Sequence, residues 1–355
     1  MKYLLSACLL FFLNIDSKGQ YREEEVTFNN GEVTLAGTLS FPTKPVEKHK
    51  AIILISGSGP QDRDCNLFGF KSFKILADFF NENGFAVLRC DDRGTGKSSG
   101  PSVMFGTSED LAEDVHQAFL LLKSRPDINS KEIGLLGHSE GGIIAPMVAV
   151  QEPSVSFIIL MAGFGVKGVE VTSAQQAAIL RTSGMSEEFI QRSVAMNRQV
   201  IAKMNDPSVS EAELKQFVKE ETLKLIAYMP EEKQKEIKDK EVYANMASIQ
   251  VVQQSKNNWV KFYLNYDPLP TLKQVRCPVL LLFGGLDTQV TAAQNSEIMM
   301  NALVSAGNKK VESVTIKNAN HLFQEAVIGS PAEYATLKKE FAPEFLDILK
   351  KWISQ

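Results

Sequence analysis

Hydrophobic positions along the chain follow two rhythms. Short apolar runs, at Ala51 to Ile55, Phe85 to Leu88, Ile133 to Leu136, Phe157 to Met161 and Cys277 to Phe283, stand between polar or glycine-rich stretches. Runs of this kind mark parallel strands buried on both faces. Between them, Phe73 to Asn83 and Glu109 to Lys123 repeat apolar residues at helical spacing, with Leu111, Val115, Ala118 and Leu122 on one face. Ile143 to Val150 is a third helix, stopped by Pro153. Strand and helix in alternation predict an α/β chain with a mostly parallel, doubly wound sheet. The start of the chain differs. Glu24-Val26-Phe28 and Val33-Leu35-Gly37-Leu39 alternate around Asn29-Asn30-Gly31, which predicts an antiparallel edge ribbon turning at Asn-Gly. A Lys-rich loop holding His49 follows it.

The alternation breaks from about Val166 to Asn265, where helix signals occur without a convincing strand. Ser210 and Glu213 form a capping box ahead of Leu214, Phe217, Val218, Leu225 and Tyr228, and Pro230 stops that helix. Ser186 with Glu187 and Glu188 starts another, which ends near Pro207. The sheet resumes at Cys277, adds a strand at Val311 to Ile316 and closes with a helix from about Pro343 to Ile353. The expected organisation is a core over 20–165, a helical cap over 166–268, between the sixth and seventh strands, and the rest of the core over 269–355.

Chemistry concentrates at Gly137-His138-Ser139-Glu140-Gly141. This is G-x-S-x-G after a buried strand and before a helix, the context of a nucleophile elbow. A serine at the tip of such a turn sits in strained backbone, and a Cβ two residues before or after it would collide with neighbouring chain. The following helix aims its N–H groups and positive dipole end at the serine. The chain has four histidines. His49 lies in a loop, His116 mid-helix, and His138 is expected to point away from the serine. Only His321 follows a strand at the carboxyl edge of the sheet, where α/β sites lie. Asp287 ends the preceding strand, after Gly284 and Gly285, and is the acid of choice over Glu170 and Asp267. Oxyanion donors are expected at the Glu140 N–H and in the loop after Ile55, where Ser58 leads and Gly59 or Gly57 come next; Pro60 has no N–H to give.

With these residues in place the chain resembles a serine α/β-hydrolase, close to bacterial carboxylesterases with a helical lid. The resemblance rests on Gly57-Ser58-Gly59-Pro60-Gln61-Asp62-Arg63-Asp64, Asp92-Arg93-Gly94-x-Gly96-x-Ser98, the elbow with Gly142, Tyr266-Asp267-Pro268, Gly285-x-Asp287 and Asn320-His321-Leu322-Phe323. It departs from lipase-like members in carrying Ser56-Gly57 where they often have His-Gly. The family implies Ser139, Asp287 and His321 as catalytic residues, ester hydrolysis without a cofactor, and a small-molecule ester as partner. Rival readings are a peptidase or amidase, an acyltransferase, and a non-catalytic secreted binding protein of the same fold. Two motifs are set aside. Gly96-Lys97-Ser98 lacks the first glycine of a P-loop, so Asp92 and Arg93 are expected to brace that loop. Gly163 to Gly168 matches G-x-G-x-x-G but lacks the later acid of a dinucleotide site and reads as the entry to the cap. Trp259, Phe262, Tyr263 and Tyr266 are expected either in an acyl pocket or in the core of the cap.

Composition changes the picture little. A net charge of −4 over 355 residues leaves no nucleic-acid footprint. Lys2, the apolar run Tyr3 to Leu13 and Ser17-Lys18-Gly19 read as a signal peptide over residues 1–19, too short to span a bilayer, which implies export to a periplasm or the medium. A lipobox reading of Leu5-Ser6-Ala7-Cys8 fits less well, because the apolar run lies mostly after Cys8. Removal of the signal leaves Cys65, Cys90 and Cys277, an odd number expected as free structural thiols. No C-x-x-C or His/Cys cluster has metal spacing. No pattern in the chain speaks to oligomeric state.

Overall fold

The computed structural model describes residues 21–355, so the expected signal peptide and Cys8 lie outside the described residues. Eight strands form the main sheet: β1 (Arg22–Asn30), β2 (Val33–Phe41), β3 (His49–Ile55), β6 (Phe85–Cys90), β7 (Ile128–His138), β8 (Ile158–Met161), β9 (Val279–Gly284) and β10 (Val311–Ile316). A small antiparallel ribbon, β4 (Asn66–Leu67) with β5 (Phe70–Lys71), stands apart. The sheet order is β1-β2-β6-β3-β7-β8-β9-β10. Only β2 runs against its neighbours; all other pairings, from β6 to β10, are parallel.

The period of two along each strand divides the core into two layers. Ile53, Ile55, Ile133 and Leu135 face one side. There they pack with Phe119 and Leu122 of α2 (Ser108–Ser124), Ile144 and Val148 of α3 (Gly141–Gln151) and Leu303 of α11 (Ala292–Ser305). Ile52, Leu54, Leu136, Leu280 and Leu282 face the other, against Phe73, Leu76 and Phe80 of α1 (Ser72–Glu82) and Phe345 and Leu349 of α12 (Phe345–Ile353). Both faces are covered, so the strands are continuously apolar, as the sequence pattern predicts. The chain has the α/β-hydrolase fold.

Details depart from expectation at two places. Asn30 is the last residue of β1, and Gly31, at φ +57°, is the first of the two residues that turn the hairpin. The positive φ is thus carried by the glycine alone, which tolerates it at no steric cost. His49 starts β3 rather than lying in a loop; it is buried edge-on against the Phe41 ring at 5.4 Å.

Between β8 and β9, the sixth and seventh strands of the main sheet, the chain is helical: α4 (Gly168–Thr182), α5 (Glu187–Asn205), α6 (Glu211–Ile226), α7 (Glu231–Glu236), α8 (Lys240–Ser255), α9 (Asn258–Asn265) and α10 (Leu269–Leu272). The Ser210–Glu213 capping box forms in both directions, and Ser186 caps α5 through the Phe189 N–H. This cap has its own small core of Val200, Leu214 and Val218. Among the described residues no helix is long and apolar enough to cross a membrane.

Candidate active site

The elbow is built backbone on backbone. Ser139 sits at φ +56°, a region that costs a non-glycine residue about 1–3 kcal/mol. Its N–H donates to the Met161 carbonyl at 2.8 Å, and its own carbonyl accepts from the Gly142 N–H at 2.8 Å. A Cβ on Gly137 would strike the Gly141 carbonyl, and one on Gly141 would strike the Ile55 carbonyl. The glycines therefore let β7, α3 and the end of β3 meet closely enough to hold the strained turn. No side chain caps α3, whose first N–H groups and positive end lie beside the serine.

Asp287 and His321 come together at the carboxyl ends of β9 and β10. His321 Nδ1 lies 2.8 Å from Asp287 Oδ2, and both side chains are buried. The other carboxyl oxygen, Oδ1, accepts from the Gln289 N–H at 2.7 Å and the Val290 N–H at 2.9 Å, so the acid cannot rotate freely. The His321 loop is fixed by Asn320, whose Oδ1 accepts from the Leu322 and Gln324 N–H groups at 2.9 and 3.0 Å. Gly284 packs directly against the Ala319 and Asn320 carbonyls, the close approach for which a glycine is needed there. Ser139 Oγ makes no hydrogen bond to His321 among the described residues; the two side chains line one cavity.

The loop after β3 brings Gly57 against the serine: a Cβ there would stand 3.1 Å from that of Ser139. Ser58 follows it on the cavity wall. Asp92 braces this loop rather than that of Gly96 to Ser98, accepting from Ser56 Oγ at 2.7 Å and the Gln61 N–H at 2.8 Å, while Asp91 holds the other through the Lys97 N–H at 3.0 Å. Burial nevertheless raises the Asp92 carboxyl to about 7, outweighing both hydrogen bonds. Arg93 turns away from the site and forms a fork with Asp114 at 2.6 Å on each arm. The N–H groups of Ser58 and Glu140 donate to no protein acceptor among the described residues.

Comparison with known proteins agrees with this geometry. The sequence pattern of the family described as serine aminopeptidase, S33, matches residues 70–325, most of the chain. The chain belongs to this family of α/β-hydrolases. It is also similar to the esterase EstD of Thermotoga maritima, 25% identical over 340 residues, covering 94% of this chain and 68% of that protein. An esterase structure from Pyrococcus furiosus matches 94% of this chain and 91% of its own at TM-score 0.56 and 15% identity. A hypothetical protein of Pseudomonas aeruginosa matches 99% of both chains at TM-score 0.54 and 15% identity. These structural likenesses speak to the fold.

In this hydrolase the cavity above Ser139 holds about 680 Å³. Its floor is Gly57, Ser58, Ser139 and His321, and its roof is cap residues such as Val200, Ile201, Met204 and Val251. Among the described residues no Asp, Glu, Lys or Arg lines it; its polar wall includes Gln61, Gln175, Asn197, Gln254 and Gln289. The aromatic cluster of the cap divides. Trp259 and Tyr263, stacked at 5.1 Å, line the cavity, whereas Phe262 and Tyr266 stack on each other at 5.3 Å and do not. Cys65 also reaches the wall, but burial pushes its thiol well up, so it offers no thiolate nucleophile. Cys90 and Cys277 thiols are pushed up to about 12 by burial, and no disulfide joins the three. Among the described residues no group of three or more His, Cys, Asp or Glu side chains is placed to hold a metal ion.

His138, expected to point away from the serine, packs on the His321 loop. Its Nε2 lies 2.9 Å from the His321 carbonyl oxygen, and the two rings lie 4.8 Å apart. Burial lowers its pKa to about 4, so at neutral pH the ring is uncharged. A carbonyl only accepts, so Nε2 carries the proton and donates. The residue before the serine therefore pins the backbone of the histidine loop. Position alone could not show this, because the partner is 183 residues away.

Proposed function

We propose that this hydrolase cleaves carboxylic esters of small, uncharged substrates through an acyl-enzyme on Ser139. The reading rests first on the buried Asp287–His321 pair opening onto the same cavity as a strained serine. His321, held by Asp287 through Nδ1, takes the Ser139 hydroxyl proton on Nε2 as Oγ attacks the ester carbonyl. The Glu140 and Ser58 N–H groups hold the oxyanion, each worth about 3 kcal/mol of barrier. His321 returns the proton to the departing alkoxide, which leaves as the alcohol. It then takes a proton from water, and the resulting attack releases the acid and restores the serine.

The family's description keeps a peptidase reading in view, and the cavity argues against it. An aminopeptidase must pair the α-ammonium of its substrate, and burying that charge unpaired costs several kcal/mol. Among the described residues the lining offers no carboxylate for the purpose. A binding module would have no use for the strain at Ser139. We further propose that residues 1–19 direct export and that 166–268 act as the cap deciding which acyl groups enter.

The test uses the chain lacking residues 1–19. Labelling by a fluorophosphonate and turnover of p-nitrophenyl acetate, both abolished by Ser139→Ala, are the expected results. Faster turnover of aminoacyl anilides than of esters would favour the peptidase. Partition of product into added alcohol ahead of water would favour acyl transfer, and no label at all would favour binding.

A further inference from the structure

Glu140 carries a buried carboxyl group that the mechanism above does not use; the residue is 1% exposed. Oε1 accepts two hydrogen bonds, from Ser108 Oγ at 2.6 Å and from Trp259 Nε1 at 2.8 Å, and Oε2 has no partner among the described residues. The two donors come from opposite parts of the molecule: Ser108 opens α2 of the core, and Trp259 stands in the first turn of α9 in the cap. The Trp259 ring also lines the substrate cavity and stacks on Tyr263, which in turn meets Phe164 of the core edge-on at 5.4 Å. The Gly168 Cα packs against the Tyr263 carbonyl, so α9 is seated backbone on backbone.

We infer that Trp259 is a positioning residue: through the Glu140 carboxyl it fixes the Glu140 peptide N–H, so that a seated cap completes the oxyanion site. This rests on the serine esterase reading above. The physical reason is local. Ser139 is strained at φ, and relaxation about that bond would turn the Ser139–Glu140 peptide and the Glu140 Cα together, at the expense of the Gly142 N–H bond to the Ser139 carbonyl. Rotation would carry the Glu140 side chain away from both donors and leave a buried carboxyl oxygen without them, which costs more than a typical hydrogen bond contributes. One residue thus joins the wall that the acyl group touches to the N–H that its carbonyl oxygen needs.

The test is a double-mutant cycle on Trp259→Phe and Glu140→Ala. It is read as kcat and KM for p-nitrophenyl acetate and as the rate of Ser139 phosphonylation. Acetate is short, so loss of wall contact alone would act on KM or grow with acyl length. The expected result is a kcat fall of about tenfold in each single variant with KM within about twofold, a fraction of a whole oxyanion donor. The double variant falls no further than the worse single variant, because both remove one link. Glu140→Gln, which keeps an acceptor oxygen, recovers most of the Glu140→Ala loss. Independent, multiplying losses, or a change in KM alone, would overturn the inference. If Trp259→Phe does not fold, Ser108→Ala, outside the cavity, tests the same carboxyl and should lower kcat without raising KM; unchanged kcat there would also overturn it. A wild-type chain that takes no phosphonate would refute the serine reading itself, whereas a labelled chain with multiplying losses would refute only the link.

Discussion

The floor and the roof of the cavity are made by different means. The floor is fixed by main chain meeting main chain: Gly137 on Gly141, Gly142 on Gly163, and Gly284 on the Ala319 and Asn320 carbonyls. The roof is made of amphipathic helices that touch through side chains. α7 buries no residue, and α8 buries only Ala244 and Ser248. Close-packed backbone cannot shift by a fraction of an ångström without a clash, whereas side chains can repack. Tolerances tight enough for proton transfer are thus assigned to the floor, and shape to the roof. The exceptions are α4 and α9: their backbones meet at Gly168 and Tyr263, and each is tied to the core, α4 through Val171 and the Glu170 carbonyl, α9 through Trp259 and Glu140.

On this division the largest effects come from the floor, with little change in stability. Asp287→Asn keeps an oxygen for the Gln289 and Val290 N–H groups but presents an amide N–H to His321 Nδ1. That selects the tautomer with the proton on Nε2, which cannot receive the serine proton. Turnover of p-nitrophenyl acetate should fall about 10³–10⁴-fold, with a melting temperature close to wild type. A loss below tenfold would remove Asp287 from the mechanism.

The roof should respond in degree and in selectivity. Val251, on the cavity wall in α8, is half-buried and packs on the small core of the cap. Val251→Trp fills part of the 680 Å³. Its cost in kcat/KM should grow with acyl length, from a few-fold on acetate to about 10–100-fold on octanoate, since each excluded methylene is worth roughly 1–3 kcal/mol. An equal loss on every chain length would show that α8, like α9, acts on the chemistry.

The same division explains what the sequence made legible. Short apolar runs, alternation in the edge ribbon and helical spacing placed every strand of the main sheet and the helical cap, because burial on both faces, on one face or on one stripe is written in residue type. The elbow glycines were readable for the same reason that they exist, a collision that any Cβ would cause. What escaped involves partners far apart in the chain. The role of His138 was not readable because its partner lies in the His321 loop, and no pattern links Trp259 to Glu140, 119 residues away. The split of the cap aromatics depends on helix packing, beyond the reach of periodicity. One missed feature was readable: Thr107 and Asp110 form a capping box at the start of α2.

The smallest effect, and the one that sets floor against roof most directly, is electrostatic. Glu187 at the start of α5 is an exposed acid whose pKa is lowered by its hydrogen bonds with Arg181. Asp92 under the floor goes the other way, raised by burial from 3.8 to about 7. Between those two values the folded protein binds a proton at Asp92 that the unfolded chain has lost. Folding is therefore favoured by this group fully below 3.8, and the advantage disappears as pH rises through about 7. Asp92→Asn removes the titration and keeps one acceptor for Ser56 or Gln61. The melting temperature of wild type relative to Asp92→Asn should accordingly drop between pH 4.5 and pH 8, by an amount equivalent to about 1–3 kcal/mol. Glu187→Gln should give the opposite slope, confined to acid pH and weak because the pair is in water. A constant difference between wild type and Asp92→Asn across that range would mean that Asp92 stays ionised, held by Ser56 and the Gln61 N–H against its burial.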